Sequence, residues 1–415
     1  MSTSFDNLPD ELIQTLALSL PLREISYFCR TNQRFNNLIC NDEYFWRQKF
    51  IKDYGKVNWT GSWKKLYISY LNVWTFGGND LGELGLNDKE NRYIPTQISD
   101  FKAKYITTSS NDSGLIDLED NAWVFGFNVF GQLGLGNLKP APIPTRIEGL
   151  KVKGIAMGLL HTAMIDLENN VWVCGTNING QLGLEEVNSI TILTKISGLK
   201  AKGVATGKTH TAVIDLDNNL WMSGNNQFGQ LGLGDNTNRH VFMQVPGLKV
   251  KQVSAGWYHT VVIDLENNIW TFGRGAEDQL GLGDNKDRKV PTKINNLKAK
   301  QVSAGGDHTV VIDLENNVWT FGRSKYGQLG LGDNKSRTLP TQINNLKAKQ
   351  VSAGNGHTAI IDLENNVWTF GYNSEGQLGL GDNINRDNPT QIANFKALQI
   401  VAGGSHTLML ATSII

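Results

Sequence analysis

A chain of 415 residues is long enough for a large core with a small extra domain beside it. Its 39 basic and 39 acidic residues cancel, which excludes a global field steering it to nucleic acid or to an anionic membrane surface. Cys29, Cys40 and Cys174 form neither a CxxC pair nor a disulfide framework, and no run approaches the roughly 20 apolar residues of a membrane span. The opening MSTSFDNLPDEL lacks the basic and apolar regions of a signal peptide. A soluble protein of a reducing compartment is expected: cytoplasmic, with the nucleus open, or the host cytoplasm were the chain viral or bacterial.

The first elements in chain order are helical. Leu8, Leu12, Ile13, Leu16 and Leu20 recur at helix spacing, with Pro9 near the start and Asn7 placed to cap it. Leu22, Ile25, Phe28 and Cys29 mark a second short helix, and Phe35, Leu38 and Ile39 a third. Roughly 45 residues in three short helices bury little surface alone. They carry more apolar positions than so small a core consumes, so a partner helix is expected over the remainder. Ser62 then caps a helix from Trp63 to Tyr70, with Trp63, Leu66, Tyr67 and Tyr70 on an apolar stripe. A packed aromatic helix is no flexible linker, and a fixed orientation of the two parts is expected.

From residue 72 the pattern changes. Trp74, Trp123, Trp172, Trp221, Trp270, Trp319 and Trp368 stand 49 residues apart, each followed three residues on by glycine, Gly77 through Gly371. No insertion or deletion breaks the period. A unit of that length cannot bury its own apolar face and must stack on its neighbours. One complete copy, Lys298 to Leu346, reads as four short β runs near Gln301–Ala304, His308–Leu314, Val318–Phe321 and Gln328–Leu331. Pro291, Pro340 and Pro389 fall in the connector, where they interrupt no ladder. Four strands in each of seven units predict an all-β seven-bladed propeller. No AGxxHT segment precedes Trp74, and a surplus one, IVAGGSHTLML from Ile400 to Leu410, follows Trp368. The chain's last strands are therefore expected to complete the first blade and remove a free edge. The domain plan is 1–50 helical, 51–71 helical linker and 72–415 propeller.

The copies within the chain can be compared with one another. The IDLENN turns barely change from Ile165–Asn170 to Ile361–Asn366. Two sites change freely. One is the pair inside AGxxHT, among them Leu159-Leu160, Lys208-Thr209, Trp257-Tyr258 and Gly306-Asp307. The other is the four residues before GQLG, which include Phe130, Phe228, Arg274, Arg323, Tyr326 and Tyr372. With strands antiparallel in sequence order, both variable sites share one face of the disc and the IDLENN turns share the other. Exposed loops drift without any function, yet the IDLENN turns are exposed as well and have not drifted. The variable face is thus the expected binding face for a target protein. Trp257 and Tyr258 are its sharpest candidates, because exposed aromatic pairs anchor interfaces.

His161, His210, His259, His308, His357 and His406 keep the same period, with Asp112 in the first copy. One imidazole per blade, with no cysteine or carboxylate at ligand spacing, reads as a set of structural histidines bonded to a neighbouring strand and not as a metal site. Lysine pairs such as Lys151/Lys153, Lys249/Lys251 and Lys298/Lys300 place both ammoniums on one side of a strand. They form either a belt for an acidic partner or, in the preferred reading, solvated charge that discourages aggregation. No Walker motif, GxSxG, HExxH or dinucleotide fingerprint is present. No cofactor, metal or catalytic residue is expected, and the chain reads as a non-enzyme.

The repeats AGxxHT…VWxFGxxxxGQLGLGD resemble those of the regulator of chromosome condensation family over residues 72–412, which implies a seven-bladed propeller. The segment LPDELIQTLALSLPLREISYFCRTNQRFNNLICNDEYFW closely resembles an F-box over residues 5–50. It matches at Leu8-Pro9, Glu11-Leu12, Leu20-Pro21, Ile25, Cys29-Arg30, Phe35, Leu38 and Trp46. That resemblance implies a small all-α F-box domain docking on the Skp adaptor of a cullin-based ubiquitin ligase. Leu8, Pro9, Leu12, Ile13, Leu20, Pro21 and Ile25 would make the contact, some of them serving the helical core as well. The function expected is a non-catalytic substrate-recognition adaptor of that ligase, with the variable face holding the target. The alternative is guanine-nucleotide exchange on a small GTPase such as Ran, the activity best known in the propeller family. Exchange there depends on an insertion among the blades, for which the unbroken period leaves no room, and the family's basic tail is absent. A non-degradative interaction scaffold is a third reading. The propeller is expected to be monomeric, with neither nucleic acid nor membrane as a partner.

Overall fold

The computed structural model describes residues 8–20, 22–54, 61–185 and 188–413. Among these, twenty-one strands, β1 (Asn72–Gly77) to β21 (His406–Ser413) in chain order, form one closed sheet. A single repeat shows how. The strand Arg288–Ala304 pairs through its first part with Asn268–Gly273 and through its second with His308–Asp313. His308–Asp313 then pairs with Asn317–Gly322. Each long strand therefore closes one blade and opens the next. The crossing falls near Asn296, whose φ of 60° is a left-handed value that asparagine tolerates. A blade holds four strand segments drawn from three strands per repeat.

Two expectations about the repeat are corrected here. Residues 328–331 form a turn, and the outermost segment is instead the first part of Arg337–Ala353. Gly327, Gly330 and Gly332 all hold positive φ, so the GQLGLG run cannot extend as a strand. Pro340 does lie within a strand. It falls in the irregular stretch between the Gly322–Arg337 and Thr320–Thr341 pairs, on the outer edge, where a missing N–H breaks no ladder.

Ring closure is by antiparallel pairing of β1 with β21, from Val73–Leu410 to Gly77–His406. The strand Arg386–Ala402 lies on the other side of β21. The last strand thus sits inside the first blade, and among the described residues no inner edge is left free. Between blades, Phe76, Phe125, Phe272, Phe321 and Phe370 are fully buried, several of them lying against a loop glycine. Two repeats carry Cys174 and Ser223 at this position. There Leu193 and Phe242 replace the usual strand proline and fill the space beside Gly134 and Gly183.

Ahead of the sheet lie α1 (Asp10–Ala17), α2 (Leu22–Thr31), α3 (Gln33–Phe35), a π-helical turn (Asn36–Cys40), α4 (Glu43–Tyr54) and α5 (Trp63–Ser69). The expected all-α F-box domain is overturned. The third helix is only three residues long and runs straight into the π-helical turn. Phe45, Trp46, Phe50, Tyr67 and Tyr70 of α4 and the α5 region share one core with Ile13, Ile25, Phe35 and Ile39, and Leu398 of the propeller packs against it. The fold class is an all-β closed propeller with short helices attached, not a propeller beside a free-standing three-helix module. The helices meet the disc on its IDLENN side, where the Ser69 and Thr412 hydroxyls are bonded at 2.9 Å and Ala103 donates its N–H to the Leu71 carbonyl. Ser62 caps α5 by accepting the Lys65 N–H.

Of the residues named for Skp contact, Ile13 and Ile25 are core, and Leu8 and Leu20 are half-buried against that core. Pro9 and Leu12 are exposed. Pro21 lies outside the described residues, as does the proposed cap Asn7. The cysteine expectation is corrected too: Cys29 and Cys40 are joined in a disulfide with Cα atoms 6.0 Å apart. Folding, not sequence spacing, brings the end of α2 beside the π-helical turn.

Candidate protein-binding face

In each blade the loop after the tryptophan strand is tied to the AGxxHT turn. Arg274 donates its N–H to the Tyr258 carbonyl and Arg323 to that of Asp307, each at 2.9 Å, and Tyr372 to that of Gly356 at 2.8 Å. Both variable loops therefore lie on one face of the disc. On this face side chains of successive blades touch one another. The Lys208 ammonium donates to the Tyr258 hydroxyl at 2.8 Å and sits 5.1 Å and 4.9 Å from the Trp257 and Tyr258 ring centres. Phe228 meets Tyr258 edge-on at 5.3 Å, and the Arg274 guanidinium lies 5.7 Å from the Phe228 ring centre. Arg274 and Arg323 each approach Asp307 at 3.4 Å. Burial pushes the Asp307 carboxyl up even so, because the two guanidinium groups offset only part of the desolvation. Tyr326 and Tyr372 pack at 4.6 Å between ring centres.

Trp257 is less free than its sequence position implies. Its indole N–H donates to Asn355 Oδ1 at 2.9 Å, and Asn355 Nδ2 donates to Ser110 Oγ at 3.3 Å. These three residues come from blades that are not adjacent. They span the mouth of the axial channel, which is lined by Gly158, Gly207, Gly256, Gly305, Gly354 and Gly403. On the far side of the face the chemistry is apolar. Val129 is 43% exposed, Phe130 39% and Ile178 70%, with Leu159 and Leu160 half-buried on the AGxxHT turn nearby. Val129 and Ile178 were not singled out from the sequence. Their signal is the position two before GQLG, where the chain turns outward in most copies.

The opposite face explains its own uniformity. Asp313 Oδ1 accepts the N–H groups of Glu315 and Asn317 at 2.9 and 2.8 Å. Its Oδ2 accepts Asn317 Nδ2 at 2.8 Å and the Trp319 indole at 2.9 Å. Burial works against the charge, but these bonds hold the carboxyl below its ordinary range. Asn316 holds φ 72° and accepts from the Lys300 ammonium. Lys298 donates to the Glu266 carbonyl of the preceding blade at 3.2 Å. The lysine pairs thus stitch turns and blades together while remaining exposed to solvent. Because the IDLENN turns are held by this network, their constancy does not by itself mark the other face as functional. The case for that face rests on its side chains.

A model of the RCC1-like domain matches residues 200–409. A model of the regulator of chromosome condensation (RCC1) repeat matches residues 72–110, 119–165 and 168–214. The chain belongs to the RCC1-like domain family. No F-box is found in the helical segment. Human WBSCR16 superposes with a TM-score of 0.75 at 20% identity, covering 83% of this chain and 99% of that one. Yeast RCC1 (Prp20), solved bound to Kap60, gives 0.74 at 21% identity, with coverages of 83% and 89%. Prp20p of Saccharomyces cerevisiae, described together with its binding to Gsp1p and histones, gives 0.74 at 20% identity, with coverages of 86% and 96%. At these identities the likeness is one of fold. No curated protein matches the chain.

Within this RCC1-like propeller the periodic histidines are ties between blades. His308 Nε2 meets Thr358 Oγ1 at 2.9 Å, and Thr358 Oγ1 donates to the Gln328 carbonyl at 2.8 Å. Burial lowers the His308 imidazole to about 4 and that of His357 to about 3. The series is broken at one place. Glu83 stands where the other copies carry the GQLG glutamine, and Asp112 stands where they carry histidine. Both are buried, and burial raises Glu83 to about 7 and Asp112 to about 8. Each departure from the repeat was visible in the sequence, but not that both acids are buried and that Glu83 lies near enough to raise Asp112 further.

Proposed function

We propose that this chain is a protein-binding propeller whose AGxxHT and post-tryptophan loops take up a protein partner. The observation that carries the reading is the exposed apolar sector of Val129, Phe130 and Ile178 beside the Lys208–Tyr258–Phe228–Arg274 strip. An apolar patch with an aromatic and arginine-rich flank has the make-up of an interface centre. The helices attach on the other side of the disc and leave this face clear.

A small GTPase is the partner class tested first. The likeness of fold to Prp20p, described as binding Gsp1p and histones, supports it, and nucleotide exchange is the activity to assay. The ligase-adaptor reading keeps the same target face, but its Skp arm has only the sequence resemblance of residues 5–50 behind it. The full chain is immobilised and offered a panel of GTPases loaded with fluorescent nucleotide, with purified Skp adaptor as a separate arm. Binding that drops at least tenfold in Phe130→Asp/Ile178→Asp supports the face. Partner capture unchanged by that double variant would place binding elsewhere. Nucleotide release no faster than the intrinsic rate across the panel removes the exchange reading.

A further inference from the structure

We propose that Cys29 and Cys40 are a thiol–disulfide exchange site for low-molecular-weight disulfides such as glutathione disulfide, entered through the cleft between the helices and the disc. Their Cα separation of 6.0 Å lies inside the span that a disulfide bridges without backbone movement. Cys29 is half-exposed in the last turn of α2, and Cys40 ends the π-helical turn, buried. Both line a cleft of about 400 Å³ with Leu22, Ile25, Arg30 and Lys64 on the helical side and Leu118 and Glu119 on the disc. A cavity of this size admits a peptide-sized disulfide.

The charge in the cleft favours the chemistry. Lys64 donates to the Cys40 carbonyl at 2.9 Å, and Arg30 lines the same cleft. Two cations against the single carboxylate of Glu119 attract an anionic tripeptide. The exchange balances as two displacements. The Cys29 thiolate attacks one sulfur of glutathione disulfide, forming the mixed disulfide and releasing one glutathione thiolate. The Cys40 thiolate then attacks the Cys29 sulfur, forming the Cys29–Cys40 bond and releasing the second. Two electrons pass from the protein thiols to the small disulfide, and the protons lost by the thiols reach the leaving thiolates through solvent. The crosslink ties α2 to the π-helical turn and so sets one wall of the cleft.

Cys174 is the internal reference. It is fully buried, burial pushes its thiol far above the ordinary range, and it does not line the cleft. The full chain is equilibrated in glutathione buffers of graded ratio, quenched in acid and weighed intact, with alkylation of the native state run in parallel. The expected result is reversible loss of two hydrogens in one step, abolished in Cys29→Ser and in Cys40→Ser and unchanged in Cys174→Ser. In Cys40→Ser a single glutathione adduct should accumulate on Cys29, since no thiol remains to resolve it. A wild-type chain that stays fully reduced at every ratio overturns the proposal. So does one that stops at the adduct, or one whose bond no reducing ratio opens in the native state.

Discussion

Glu83→Gln should stabilise the protein, by an amount that builds up as pH rises from about 4.5 to about 7. Six of the seven copies carry glutamine here, and the geometry already suits it. Glu83 Oε2 accepts the Leu81 N–H at 2.8 Å, as Gln328 Oε1 accepts that of Tyr326 at 2.9 Å. Burial raises the carboxyl from 4.5 to about 7, against backbone hydrogen bonds that favour the charged form, while Asp80 and Glu375 raise it further. A folded-state value above the unfolded one means that the folded chain holds the proton more tightly. Glu83's contribution is therefore fully present below pH 4.5 and is lost as pH rises through about 7. The displacement corresponds to about 3 kcal/mol at pH 8.5. A neutral amide of the same shape avoids that loss. Urea unfolding from pH 5 to pH 9 should show a midpoint gain in Glu83→Gln that is small at pH 5, reaches nearly its full value by about pH 7 and then levels off, with unchanged slope. A gain equal at pH 5 and pH 8.5, or none at all, refutes the electrostatic argument. Asp112, raised to about 8, should leave a residual slope that Asp112→Asn removes.

Two further outcomes follow from the packing between blades. Ser223→Phe restores the usual strand phenylalanine, but the Phe242 ring already lies beside Gly183 in that space, so the variant should lose about 1–3 kcal/mol through overpacking. Adding Phe242→Pro should recover most of it in thermal melts, and a double variant no better than the single one would contradict the exchange of volumes. The six buried histidines have folded values depressed to about 3 or 4. Their contribution is present above the unfolded value near 6.5 and is lost as pH falls through about 4. Stability should therefore decline steeply between those limits, and replacing His308 by Gln should lessen the slope. An acid limb as shallow as that of an ordinary surface histidine would rule this out.

How much of the molecule was legible in the sequence differs from element to element. Blade count and strand order are written in local pattern: a 49-residue period, alternating apolar residues and turn glycines act within a repeat, and the sheet of each repeat stacks on those of its neighbours. The misplaced fourth strand shows where local reading stops. GQLGLG looks apolar enough for a strand, and only its run of positive-φ glycines makes it a turn. The helical segment was legible as helices, but spacing reports which residues face inward, not what they face. Whether Ile25 and Phe35 close a module of their own or share a core with Phe50 and Tyr70 depends on segments remote in sequence.

The candidate face divides the same way. That both variable loops share a side follows from strand parity and could be read directly. That Trp257 reaches Asn355 across the axis, that the lysine pairs end on turn carbonyls and asparagines, and that Glu83 and Asp112 become buried acids between blades could not. Those contacts exist only because the ring closes, bringing residues of different repeats within hydrogen-bond distance. By itself the sequence determined the repeat and therefore the disc. Closure of that disc decided which side chains are ties between blades and which are left facing a partner, since burial and pairing are properties of the assembled ring and not of any one repeat.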